Sequence, residues 1–539
     1  MNRVRVFLAV VPLALVLAGF SLGAVPARAA DGVGVWSDYE NISNTPEAST
    51  SPTIAADRAG RLHVFWVEDV GGVTRRLVDG PDGTPILDYR GKPVNLLTDQ
   101  GNTIYYTRWN GRQWIQPVDV ATVLQGHVYF PSAAVDQQGT LHLIWTQGDS
   151  QNTTLMYSRV SADRAEVVQE WSKPVPLANP VLVYENPAWL AVDSQDGLHI
   201  VYFQVGPNPG VYEMNSFDGG DSWSNPTQLY ANASQTGNGD GSMPVRLMVD
   251  QKDRLHATWT VFDKSGNGKS IYYARSTDRG KTWSKPFLIS AWQPGYYEVD
   301  WLSAGASGDT LYMNWEGGTQ SFDNERISPD GGLTWGPEKQ IFPNLVGENG
   351  WADLVTDSSG RLNLLLVKRT GGLSGTVYGM WYSQLRGGMW DTPRLVGDQN
   401  FDFYNSTRNL DDAGIRKLLS STINGDGLRY QRAAVVSGNE LFVVVVNEHD
   451  GEIYSAHMLL DSPAIPPQPY PSRPAPTAAA APVQTPTAAA PQPTLAVSKF
   501  VDPNRKMTLS PSGIFTYSMV PVVLLVLVMV ASRNLFHRS

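Results

Sequence analysis

The chain has 539 residues, a formal net charge of −10 at pH 7 and no cysteine. Disulfides, thiolate metal sites, a cysteine nucleophile and a lipidated N-terminal cysteine are therefore excluded. The acidic balance, with Arg75-Arg76 as the longest basic run, argues against nucleic acid as a partner. With 50 Gly, 37 Pro and 10% aromatic residues, the composition favours many short strands joined by turns.

The first 30 residues read as a signal peptide. Arg3 and Arg5 precede an apolar run from Val6 to Ala18, and Ala27-Arg28-Ala29 supplies a small-x-small cleavage pattern. An uncleaved signal anchor is the alternative. Residues 31–462 then repeat one phrase: AADRAGRLHVFW from Ala55, AVDQQGTLHLIW from Ala134, AVDSQDGLHIVY from Ala191, MVDQKDRLHATW from Met248, ASGDTLYMNW from Ala306, VTDSSGRLNLLL from Val355 and VVSGNELFVVVV from Val435. Each copy is a strand, a tight Asp/Gly turn and a second strand. The leucine after the turn recurs at Leu62, Leu141, Leu198, Leu255, Leu311, Leu362 and Leu441. The commonest spacing is about 55 residues, the size of a four-stranded propeller blade.

The sequence thus predicts an all-β propeller of four-stranded blades, with seven blades, or six if a weak copy is not a blade. The last unit, ending in EIYSAHMLL, lacks an outer strand, and GVWSDYENIS near Gly34 has no unit of its own. Joining the two closes the ring by N-terminal strand exchange. Two inserts, roughly 71–102 with Arg75, Arg76 and Arg90, and 397–428 with LDDAGIRKLLSS, interrupt the rhythm. Inserts of this kind project from a propeller's rim, where recognition resides.

Between the third and fourth strands of three units stands a further phrase: SFDGGDSW from Ser216, STDRGKTW from Ser276 and SPDGGLTW from Ser328. The aspartates Asp218, Asp278 and Asp330 accept hydrogen bonds within their own turns, and the glycines supply positive φ. Trp223, Trp283 and Trp335 then bury about 150–250 Å² each between neighbouring blades. The phrase is structural. Degenerate relatives end in Trp114, Trp171 and Trp390. His63, His142, His199 and His256 occupy one repeated step, which spreads them round the ring rather than onto one ion. They are expected to hydrogen-bond between blades. The loops DKSGNGKS from Asp263 and NGDG from Asn424 lack calcium-ligand spacing, so neither a metal nor a cofactor is expected.

Residues 463–500 form a Pro/Ala/Thr-rich linker, expected to be a semi-rigid spacer. Residues 515–532 (FTYSMVPVVLLVLVMVAS) carry no charge and are long enough to span a hydrocarbon core; Arg533, His537 and Arg538 follow in a short tail, 533–539. The expectation is a single-pass cell-membrane protein with its propeller on the extracytoplasmic side.

The S/T-x-D-x-G-x-T/S-W phrases are similar to the Asp-box, or BNR repeat. With the repeated strands they make the chain resemble the sialidase-like β-propeller superfamily over about residues 34–461. That resemblance implies three arginines holding a sugar carboxylate, a tyrosine nucleophile assisted by a glutamate, and an aspartate acid/base. The family's first arginine belongs to an Arg-Ile-Pro phrase, where this chain has Thr50 in the first unit and Tyr129 in the second. Only Arg429 stands in that register, followed by Gln431 in place of the proline. Arg246, Arg429 and Arg432 are the candidates for substrate binding, and Tyr297, Glu298 and Asp353 for catalysis. Glu348, Asp300, Tyr184 and Glu185 complete the candidate list. Two functions follow: an exo-sialidase-type glycoside hydrolase acting on extracellular glycans or glycoproteins, or a non-catalytic propeller that binds glycans or proteins.

Overall fold

The computed structural model describes residues 32–470 apart from 46, 69, 71–74, 78–94, 98–100, 124–125, 149–152, 179–186, 205–207, 232–243, 264–267, 297, 319–321, 344, 346–347, 370–376, 398–427 and 448–450. The expected signal peptide, the linker beyond 470, the membrane span and the tail lie outside these residues, as does most of both inserts. Among the described residues no helix is long and apolar enough to cross a membrane.

Seven blades form the ring. Each is a four-stranded antiparallel meander; the sixth adds a small outer hairpin strand, Met389–Trp390. The innermost strands are Ser49–Ala56, His127–Val135, Ala188–Val192, Val245–Val249, Val299–Ser307, Glu348–Thr356 and Leu428–Val436, in blades 1 to 7. Six blades take their outer strand from their own unit. Blade 7 takes Glu40–Asn41 from the N-terminus, pairing with Glu452–Leu459 in the register Glu40↔Ser455. Trp36 extends the contact by bridging to Met458.

The turn after each innermost strand shows why the repeated phrase folds as it does. Asp57, Asp136, Asp193, Asp250 and Asp357 each accept a backbone N–H four residues on, at 2.7–3.0 Å. One turn position needs positive φ. Gly60 (77°) and Gly139 (81°) supply it in blades 1 and 2, while Asp196 (63°) and Asp253 (57°) adopt it in blades 3 and 4. The core consists of seven apolar wedges, each between two adjacent blades. Trp66, Trp145, Trp259 and Trp315, from second strands, are among the largest fully buried side chains.

The S-x-D turns behave as fasteners. Ser276 Oγ donates to Asp278 Oδ1 (2.8 Å) and accepts from Gly280 N–H (2.9 Å); Asp278 then accepts from Thr282 N–H (2.9 Å) and Oγ1 (2.6 Å). The turns at Asp218 and Asp330 repeat this pattern. Trp223 meets Tyr157 of the preceding blade edge-on at 5.2 Å, Trp335 meets Tyr273 at 5.1 Å, and Trp283 packs into the wedge between blades 3 and 4.

The repeated histidines differ from expectation in one respect: their direct partners lie within their own blade. His142 Nε2 faces Asp136 (3.2 Å), and Nδ1 faces Tyr157 Oη (2.8 Å). Tyr157 carries the link outward, donating to Gly219 O of blade 3 (3.2 Å). A Cβ on Gly220 would collide with that hydroxyl, so the neighbouring turn needs glycine there.

Candidate functional site

One position of the innermost strand defines the channel. Cross-strand register places Thr53 opposite Phe65, Ser132 opposite Ile144, Trp189 opposite Val201, Arg246 opposite Thr258, Ser303 opposite Asn314, Asp353 opposite Leu365 and Arg432 opposite Val444. Each partner stands three residues after the repeated leucine. The seven residues are therefore equivalent, one per blade, and form a girdle at one height.

Bulges set what lies above the girdle. The register shifts between Thr50 and Thr53, Tyr129 and Ser132, Asp300 and Ser303, Asn349 and Ala352, and Arg429 and Arg432. Inside three of them, Ser51 (51°), Phe130 (42°) and Tyr430 (52°) hold positive φ without being glycine. Bulges re-aim side chains, and strained backbone of this kind persists only where surrounding structure imposes it. Blades 3 and 4 have no such shift in their innermost pairing.

Within the girdle the charged groups converge across the channel. Arg246 of blade 4 donates from Nη1 to Asp353 Oδ1 (3.1 Å) and from Nη2 to Ala352 O (3.0 Å), both in blade 6. Asp353 Oδ2 accepts Ala433 N–H of blade 7 at 2.8 Å. Ser132 does the equivalent for Leu190 N–H of blade 3 (3.1 Å), so a girdle residue can cap the exposed strand edge of the next blade. Arg432 donates to Gln431 O (2.9 Å). The guanidinium carbons of Arg246 and Arg432 lie 5.1 and 5.5 Å from the ring centroid of Trp189, within cation–π range. Trp189, Arg246, Asp353 and Arg432 together line a cavity of about 380 Å³, which also reaches Thr258, Asp250 and His256. That volume lies in the range of small-ligand sites.

The predicted residues are thus partly assembled. Arg246, Arg432 and Asp353 share the cavity. Arg429 stands over the ring of Trp351 at 5.6 Å and is not among the cavity's lining residues. Glu298 and Asp300 are buried at the start of blade 5's innermost strand and do not line the cavity either. Tyr297, Tyr184 and Glu185 lie outside the described residues, and of Glu348 only the strand is described. Trp189 was not anticipated. Its signal was positional: it stands four residues before the turn aspartate Asp193, as Arg246 does before Asp250 and Asp353 before Asp357. Among the described residues no group of His, Cys, Asp or Glu is arranged to hold a metal ion.

No family model matches this chain, and no curated protein does. Solved structures with a similar fold include an ulvan lyase of polysaccharide lyase family PL25, at 9% identity over 79% of this chain and 97% of that one, with a TM-score of 0.49. A protein of unknown function from Dyadobacter fermentans has 13% identity over 78% and 99%, with a TM-score of 0.41. A Hadza microbial sialidase has 14% identity over 76% and 65%, with a TM-score of 0.38. At these identities the likeness is one of fold.

Proposed function

We propose that this protein is a membrane-anchored, extracytoplasmic propeller that acts on glycans, taking an acidic sugar into the channel at Trp189, Arg246 and Arg432. The observation that carries the reading is the convergence of those residues with Asp353 on one cavity of about 380 Å³. Two guanidinium groups match a sugar carboxylate in charge and in hydrogen-bond geometry. The indole gives a sugar ring an apolar surface. In the finer form of the reading the reaction is exo-sialidase-type hydrolysis. Asp353 would then serve as the acid/base once a substrate carboxylate draws Arg246 away from it. Secretion and anchoring rest on the N-terminal apolar run and on residues 515–532.

A second reading, a non-catalytic glycan-binding propeller, is favoured by one specific observation. Both oxygens of Asp353 are already engaged, by Arg246 and by the Ala433 N–H. Incubating the purified full chain with a panel of fluorogenic sialosides and other glycosides, alongside a binding screen of acidic and neutral glycans, separates the two. Turnover that disappears in Asp353→Asn supports hydrolysis. Binding of acidic glycans without turnover supports the second reading. Neither turnover nor binding, by folded protein, removes both.

A further inference from the structure

The ring is closed at blade 7 by a very short outer strand, Glu40–Asn41, helped by flanking bonds from Gly34 N–H to Leu459 O (2.8 Å) and Ile42 N–H to Ile453 O (2.8 Å). The chain does not leave the ring once its last strand, Glu452–Leu459, is complete. It continues across the face opposite the girdle's bulged entrance, touching the turns that follow the innermost strands. Asp461 pairs with Arg361 (2.7 Å) and Arg386 (3.0 Å) of blade 6. Ser462 Oγ donates to Gly438 O (3.2 Å), and Ile465 N–H donates to Ser437 O (2.7 Å), both in blade 7. Gln468 N–H donates to Arg58 O (2.7 Å) in blade 1. Tyr470 then lies on Gly139 of blade 2, under the guanidinium of Arg61 at 5.4 Å, and packs against the wedge between blades 1 and 2.

Glycine is required along this track. A Cβ at Gly60 would meet Pro467, one at Gly438 would meet Ile465, and one at Gly139 would meet the Tyr470 ring. The prolines at 463, 466, 467 and 469 hold the segment extended at little entropic cost, so it spans several turns with few bonds.

We propose that residues 461–470 are a second clasp of the ring, crossing the seam between blades 7 and 1 from an ion-pair anchor on blade 6 to an aromatic seat at blade 2. The N-terminal strand closes blade 7 from its outer edge. The clasp closes the same seam along one face, where it ties the turns of blades 6, 7, 1 and 2 together. A pull on the chain beyond Tyr470 is met first by the aromatic seat and only afterwards by the last strand of the propeller.

Hydrogen exchange on the full chain tests this. In the double variant Asp461→Ala, Tyr470→Ala, amides of Glu452–Leu459 and of the N-terminal strand should exchange about tenfold faster. Those of Leu255–Phe262 in blade 4 should be unchanged. Ile465→Pro, which deletes the N–H bonded to Ser437 and the side chain set against Gly438, should show the same pattern at smaller amplitude, and it keeps the test readable if the double variant does not fold. Unchanged exchange at the seam, or equal acceleration in blade 4, would overturn the proposal.

Discussion

A single substitution in the repeat shows how local chemistry sets charge. In blade 1, His63 Nε2 faces Asp57 (3.1 Å) and Nδ1 faces Tyr106 Oη (2.8 Å); blade 4 repeats this with His256, Asp250 and Tyr273. A carboxylate only accepts, so Nε2 carries the proton; the phenol donates to Nδ1, and the ring stays neutral. Burial accordingly pushes the His63 and His256 pKa values below the usual 6.5. Blade 3 has Glu213 where the histidine-bearing blades 1, 2 and 4 have tyrosine. His199 then faces carboxylates on both sides, Asp193 at 3.1 Å and Glu213 at 3.5 Å. Burial opposes its charge, but the hydrogen bond to Asp193 and the neighbouring Glu213 carboxylate outweigh it, and its pKa is raised. By NMR, His199 should be protonated at pH 6.5 while His63 and His256 are neutral, and Glu213→Tyr should neutralise His199. The linkage has opposite signs. Stability from His63 and His256 is complete above pH 6.5 and lost as pH falls below it. Stability from His199 is complete below pH 6.5 and lost as pH rises through its folded pKa.

Asp353 shows the same economy at the girdle. Asp353→Ala strands the Ala433 N–H and the Arg246 guanidinium, and should cost about 2–4 kcal/mol in urea unfolding. Asp353→Asn keeps an acceptor for Ala433 and should cost less than half as much. Equal losses would mean that the cap contributes nothing.

Among the elements, the S-x-D turn is the unit that converts a sequence phrase into blade packing. Asp278→Ala removes the acceptor for both Thr282 bonds and should destabilise by about 1–3 kcal/mol. Trp283→Ala opens the wedge between blades 3 and 4 and should cost about 3–5 kcal/mol. Denaturant midpoints check both. Hydrogen bonds from Ser222 and from Thr334 draw the Asp218 and Asp330 carboxyls down to about 2. Burial works against it, yet Asp57 also falls to about 2, because its bond from His63 and the Arg61 charge beside it prevail. Folded pKa values below the unfolded carboxylate range mean stability that is complete above about pH 4 and lost as pH falls towards 2. Acid unfolding should therefore steepen in that window.

For the molecule as a whole, the ring was legible because each blade repeats a compulsory turn. In five blades the turn aspartate is dictated by backbone bonding, and in all seven a positive-φ residue precedes the recurring leucine, including Gly308 and Gly438 of blades 5 and 7. Strand exchange was legible from the complementary deficits at Gly34 and Leu459. The girdle was only half legible. Arg246, Asp353 and Arg432 stood out by charge, whereas Trp189 looked like one more core aromatic, because a channel-facing place differs from a wedge-facing one by register alone. The bulges hid that register: one extra residue between Arg429 and Arg432, against two steps on the facing strand, puts them at different levels of the channel. The clasp was hidden by composition, since the prolines of 463–470 belong equally to a free spacer and to a docked strap.

The most direct test is to soak crystals of the protein with the tightest-binding acidic glycan and locate it. The sugar should lie in the channel, its carboxylate within hydrogen-bonding distance of Arg246 or Arg432 and its ring against Trp189, and Arg246→Ala should abolish that density. A sugar bound on the rim, with the Arg246–Asp353 pair undisturbed and binding unaffected by Arg246→Ala, would contradict the assignment of the channel as the site.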